Sequence, residues 1–225
     1  MTQRSGLTTP WVLARLAQGA VAVAAVADVF RAVELRDQHA HRTDASSSGS
    51  GFASMVFVYV MTVTVVLFLM WFTRCRRIAR ALAPGAVTGS EPWAVASWLI
   101  PVINLWAPRR LVLEVRDASA GGASGRRRDG ILVNCWWAAW AGHAVVTAVT
   151  QAGDGVSMPA LLLSEALMLT AAVLAILVVQ RVTGLQSAAL SAVAAGEPAT
   201  LVRPPLPAPQ DADGPRPSAD ASTSS

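Results

Sequence analysis

Four long blocks of apolar sequence, and a fifth too short to cross a bilayer, limit what this chain can fold into. A spanning helix needs about 20 apolar residues to cover roughly 30 Å of hydrocarbon. The blocks at about 10–33, 52–73, 131–150 and 158–182 meet that length, and Met158 to Val179 carries a single charge, Glu165. The fifth block, Trp93 to Trp106, has 14 residues, is broken by Pro101, holds the polar Asn104 and runs into Pro108, Arg109 and Arg110. Proline removes a backbone donor and interrupts the helical ladder. The reading is an all-α integral membrane protein: four transmembrane helices plus one re-entrant or interfacial helix at 93–106. Arg15, Gln18 and Asp28 interrupt the first block, which favours a retained helix over a cleaved secretory signal.

Arginine placement sets the expected orientation. The stretch 74–92 holds four arginines and 107–130 holds six, against Arg31, Arg36 and Arg42 in the first loop and none at 151–157. If 93–106 dips in and returns, both Arg-rich stretches lie on one side, ten against three, and the positive-inside rule makes that side and both termini cytoplasmic. Trp11, Trp71, Trp93, Trp106, Trp136 and Trp137 fall near the same boundary, where interfacial anchors belong. The expected location is a bacterial cell membrane, with anionic headgroups as partners of the Arg-rich face. All 18 basic residues are arginine, a bias attributable to a GC-rich genome. No basic stripe interleaves with aromatics, so nucleic acid is not expected as a partner.

The outer loop, about Glu34 to Gly51, is hydrophilic and ends in a Ser/Gly run, which predicts a flexible connection. A weakly amphipathic helix is expected to continue to about Ala195. The tail from 196 to 225 holds seven of the 13 prolines and too little apolar content to pack, so it is expected to be disordered. Cys75 and Cys135 both sit at predicted cytoplasmic helix ends and read as small buried thiols rather than a disulfide. His39 and His41, with Asp37 and Asp44, match no strong ligand motif; no metal and no cofactor are expected.

Ionisable groups inside spans are costly unless paired or hydrated. At a rise of 1.5 Å per residue, His143 and Glu165 each lie about 10 Å below the outer surface and Asp28 about 8 Å, with Arg31 one turn from Asp28. These residues form a candidate polar cluster. It is open whether they bind a cation, relay protons or only tie helices together. The second candidate is the Trp93, Trp98, Pro101, Asn104, Pro108, Arg109, Arg110 element. Either its freed carbonyls and the Asn104 amide contact a solute, or it is an interfacial hinge anchored by tryptophans. Residues 109–117, with Glu114 and Asp117 around Arg110 and Arg116, read as a solvated surface helix. Phosphate-binding, nucleophile-elbow and HExxH patterns are absent.

The run WAVASWLIPVINLWAPRRLVLEVRDAS, then NCWWAAWAG and RVTGLQ, resembles the actinobacterial membrane family called domain of unknown function 4328. Its Trp-x-x-x-x-Trp-x-x-Pro-x-x-Asn-x-x-x-Pro pattern falls on Trp93, Trp98, Pro101, Asn104 and Pro108, and the resemblance covers roughly residues 10 to 190. It implies a multi-pass bacterial membrane protein and carries no assigned activity, so it does not imply an enzyme. The function expected from the whole is a non-enzymatic assembly or interaction module, with a protein partner or a second copy of the chain. The alternative is a small-solute or ion pathway built as a homo-oligomer.

Overall fold

The computed structural model describes residues 8–40, 47–120, 125–152 and 157–196, with backbone only at 34–40, 47–53, 101 and 126. The described residues form seven helices: α1 (Trp11–Ala40), α2 (Ser47–Leu82), α3 (Glu91–Leu99), α4 (Pro101–Asn104), α5 (Ala107–Ser119), α6 (Arg126–Ala152) and α7 (Met158–Ala194). Four of them, α1, α2, α6 and α7, contain stretches long and apolar enough to cross a membrane. Their outward faces carry large apolar side chains, among them Val23 and Phe30 of α1, Val58 and Tyr59 of α2, Val149 of α6 and Val173 of α7. An apolar exterior over four long helices is the surface a bilayer solvates and water does not. The chain is a multi-pass membrane protein.

Each spanning helix extends beyond its apolar block. α1 continues through the hydrophilic Glu34–Ala40 stretch and α2 starts at Ser47, so the flexible outer loop expected at Glu34–Gly51 is helical at both ends. His41 and Asp44 lie outside the described residues, as do the side chains of Asp37 and His39 and the tail beyond Gly196. At the other end α2 carries its arginines as further helical turns, reaching Leu82.

α1 and α7 form the centre. α1 packs on α2 and α7, and α7 also packs on α6 and α2, whereas the backbones of α2 and α6 do not approach one another. Small residues permit the close central pairing: Ala14, Ala17 and Ala24 on α1, Ala171 and Ala175 on α7, all buried. Hydrogen bonds tie the helices together. Gln18 donates to the Ile176 carbonyl at 3.0 Å, Thr64 to the Ala20 carbonyl at 3.1 Å and Gln186 to the Cys75 carbonyl at 2.8 Å. Trp71, buried, gives its indole N–H to the Thr183 hydroxyl at 3.0 Å. Trp71 and Trp136 are therefore core residues, not the interfacial anchors expected of them. Trp11, Trp93 and Trp106 are the exposed ones. Cys75 is buried as expected, but Cys135 is exposed.

The short fifth block is not one helix. Ser90 caps α3, accepting the Trp93 N–H, and Gly85 and Gly89 supply the left-handed turns that lead in, at φ 91° and 77°. Pro101 ends α3 by forcing Ile100 into extended backbone (φ −87°, ψ 112°), and α4 then runs for a single turn. Trp106 breaks the path again before α5 starts on Ala107 and Pro108. All three short helices pack at one end of the bundle, beside the C-terminal turns of α2 and α7 and the N-terminal turns of α6. α5 is half core: Leu111, Val112, Val115, Arg116 and Ser119 are buried, which corrects the expectation of a solvated surface helix.

Arginines hold this end. Arg76 is wholly buried, donates to the Thr88 carbonyl at 2.7 Å and lies 3.9 Å from Glu114. Glu114 also accepts the Thr88 N–H and hydroxyl and the Arg110 side chain. Arg77 and Arg80 both bind Glu91, at 3.1 and 3.3 Å. Across the bundle Arg181 reaches Asp129 at 2.7 Å, and Arg116 pairs with Asp117.

The hydrogen-bonded Arg77 guanidinium holds the Glu91 carboxyl below its ordinary value of 4.5, against the opposing push of burial. A carboxylate with a depressed folded pKa stabilises above its unfolded value, and that contribution is lost as pH falls through the folded one. Lowering the pH from about 6 to about 3 should therefore loosen the α2–α3 turn. Hydrogen exchange over residues 85–96, corrected for intrinsic rates, should rise in the wild type and be already raised, with little pH response, in Glu91→Gln.

Candidate functional site

Because α2 and α6 stand apart, a cavity opens between them. Its volume is 330 Å³, within the roughly 300–1,000 Å³ typical of small-molecule sites. The walls are apolar and come from all four spanning helices, with Ala25, Met61, Phe68, Trp140, Met168 and Ala172 among them. Trp98 of α3 and Asn104 of α4 also line it, so the segment too short to span contributes directly to the site.

Trp98 is a wedge. Its ring stands 5.0 Å from Phe68 and 5.5 Å from Phe72 of α2, both edge-on, and 6.2 Å from Trp136 of α6. Edge-to-face pairs at such separations contribute about 0.5–1.5 kcal/mol each beyond simple burial. The aromatic cluster thus spans the gap that helix packing leaves open. Ser97, buried and back-bonded to the Ala94 carbonyl at 2.8 Å, lets this face of α3 sit close beneath.

Two polar atoms at the cavity are unsatisfied. The Trp98 indole N–H and the Asn104 side-chain oxygen are both buried and have no hydrogen-bond partner among the described residues. Such groups cost about 1–3 kcal/mol each when left unpaired, and most buried polar atoms in proteins are paired. One is a donor and the other an acceptor.

The rest of the motif serves position. Trp93 is exposed and closes on Gly89, where an added Cβ would stand 3.4 Å from its ring. Pro101 and Pro108 set the two breaks that bring Asn104 to the cavity. Arg109 donates to Asn134 of α6 at 2.8 Å and lies over the Trp137 ring, while Trp137 gives its indole N–H to the Leu105 carbonyl at 2.7 Å. Those two bonds fasten the α4–α5 junction to α6. Arg110 points outward to Glu114.

The polar cluster lies elsewhere, near the other end of the bundle. Asp28 is buried and accepts both Nη2 and Nε of Arg31, at 2.7 and 3.1 Å. His143 Nδ1 lies 3.0 Å from the Ser164 carbonyl and hydroxyl, and Thr147 completes that network. Arg31, His143 and Glu165 line a second cavity. Asp28 lies behind Arg31 and is not part of that lining.

Several participants escape sequence reasoning. Phe68 and Trp140 read as ordinary span residues, Trp136 as an interfacial anchor and Arg76 as one topology arginine among several. Nothing in their local pattern distinguishes them.

Replacing Trp98 with alanine should cost about 3–5 kcal/mol through the lost aromatic contacts and the void left behind. Trp98→Phe keeps the wedge and should cost clearly less. Melting temperatures in mild detergent would separate the two, and equal losses would contradict the wedge role.

No curated protein and no solved structure matches the chain. A family model described as Domain of unknown function (DUF4328) matches residues 34–184, from the last turns of α1 into the C-terminal part of α7, so that Asp28 and Arg31 precede the matched segment. With the four spanning helices, the short helical element and its Trp–Pro–Asn–Pro pattern all in place, the chain belongs to that family of membrane proteins of unassigned activity.

Proposed function

We propose that the protein is a non-enzymatic membrane binding module that holds a neutral amphiphile, taken sideways from the bilayer, in the cavity between α2 and α6. The unpaired donor–acceptor couple of Trp98 and Asn104 beside apolar walls carries this reading. A hydroxyl both donates and accepts, so one long-chain alcohol group answers an indole N–H and a carboxamide together. Its chain then lies along Phe68, Met61 and Met168, and leaves where α2 and α6 do not pack. Neither an indole nor a carboxamide is a nucleophile or a general base near neutral pH, which supports binding rather than catalysis.

In this reading α3–α5 form a re-entrant or interfacial element of the cytoplasmic leaflet, with both termini cytoplasmic and the membrane a bacterial cell membrane. The ten-to-three arginine asymmetry supports that orientation. Arginines whose side chains stay outward, such as Arg110, face anionic headgroups. The module passes ligand or signal to a protein partner or a second copy. The outer cavity favours a second reading, a solute pathway made by several copies, because it places ionisable groups within the spans.

The test is photolabelling with a diazirine-bearing dodecanol in vesicles containing the protein. Labelling of peptides carrying Met61 or Met168 should be saturable, competed by dodecanol but not by dodecane, and strongly reduced in Asn104→Leu. Equal labelling in Asn104→Leu, or equal competition by dodecane, would show that the polar pair recognises nothing.

A further inference from the structure

The second cavity, of 320 Å³, lies between α1, α6 and α7 and shares no lining residue with the first, so a ligand held there is independent of any amphiphile in the inner one. Its chemistry differs as well. Val29, Leu161 and Leu162 supply apolar wall; Arg31, His143 and Glu165 supply polar groups.

Among the described residues, the charges around it do not balance. Arg31 is committed to Asp28 through two hydrogen bonds to one carboxylate oxygen, with its guanidinium 4.6 Å from the Phe57 ring. That pair is neutral. His143 is tied to Ser164. Glu165 lines the cavity together with Arg31, and its Oε1 is buried with no hydrogen-bond partner among the described residues. Counted as formal charges, Asp28, Arg31 and Glu165 sum to −1. An ionised carboxylate among apolar helices is costly unless it takes up a proton or a positive partner.

We propose that this cavity binds an organic monocation, a primary or secondary ammonium with a small apolar body. Its N–H groups donate to the Glu165 carboxylate, and its body rests on Val29, Leu161 and Leu162. Size selects the organic cation over a bare ion. The cavity's 320 Å³ is far above the roughly 10–15 Å³ of cavity volume that a single water needs. A hard metal ion also needs about six oxygen ligands; besides Glu165 the lining offers Gln151 and the hydroxyls of Thr147, Thr150 and Ser164, and those three hydroxyls are already hydrogen-bonded within the bundle. Asp28 has an indirect role, because by engaging Arg31 it keeps that cation from neutralising Glu165.

The experiment is equilibrium binding of radiolabelled phenethylammonium to the protein in nanodiscs, against its neutral isostere phenethyl alcohol. Saturable binding is expected in the wild type, with phenethyl alcohol a poor competitor. Glu165→Gln, nearly isosteric, should weaken it at least tenfold. Asp28→Asn should weaken it too, since the released Arg31 turns to Glu165. Leu161→Trp leaves every charge in place and fills the apolar half, so it should reduce binding by sterics alone. Dodecanol labelling of the inner cavity, unchanged in each variant, reports an intact fold and separates failure here from failure at the inner site. The proposal is overturned if wild-type binding is not saturable, if the alcohol binds as well as the amine, or if Glu165→Gln binds like wild type. It is equally overturned if sodium displaces the amine at comparable concentration, which would make the site one for an inorganic cation.

Discussion

Trp98 sets the spacing on which the rest of the molecule depends. Four helices of this length ordinarily close into a bundle in which each packs on two neighbours, burying small residues at every seam. Here three seams close and the fourth does not, because an indole from a separate short helix stands between Phe68 and Phe72 on one side and Trp136 on the other. The cavity results from that separation. So does the placement of Asn104, since the Pro101 break that ends the wedge-bearing helix begins the turn that carries it. Removing the wedge removes the site as well as the packing.

What holds the wedge in place is a set of arginine bonds. Arg76, buried without any exposure, ties α2 to the loop before α3; Arg77 and Arg80 clamp α3 through Glu91; Arg109 reaches Asn134 on α6. A guanidinium offers five donors in a rigid fork, so a single side chain can bridge a carbonyl and a carboxylate at once. The same residues that the charge rule assigns to orientation therefore also fasten the short helices to the bundle. One composition bias serves two physical ends.

Much of this is legible in the sequence, and the illegible part has a physical cause. The number of spans, the shortness of Trp93–Trp106 and the placement of Glu165 and His143 at one level come from length, breakers and rise per residue. The facing of the helices does not. In a soluble helix polarity marks the outside, but in α2 and α7 both the lipid face and the packed face are apolar, so the pattern carries little facing information. Trp71 and Trp136 illustrate the loss: their position near a boundary suggests anchors, while their surroundings make them core. The single helix expected at 93–106 is instead α3 and α4, because Pro101 stops one helix and starts the next, leaving Ile100 extended between them. The buried half of α5 is hidden by its charges: Arg110, Glu114 and Asp117 turn away from Leu111, Val112 and Val115, while Arg116 is buried beside them.

The most direct test of the central claim is the environment of the inner cavity. A nitroxide would be placed at position 168 in a background lacking Cys75 and Cys135, and its relaxation compared in the presence of oxygen and of a water-soluble nickel chelate. Oxygen concentrates in the bilayer and the chelate in water. A bilayer-connected cavity held open by Trp98 predicts strong relaxation by oxygen, little by nickel, and a fall in the oxygen effect when dodecanol is added. Dominant relaxation by nickel would mean that water fills the cavity, and insensitivity to both would mean that α2 and α6 close on each other; either result contradicts the account.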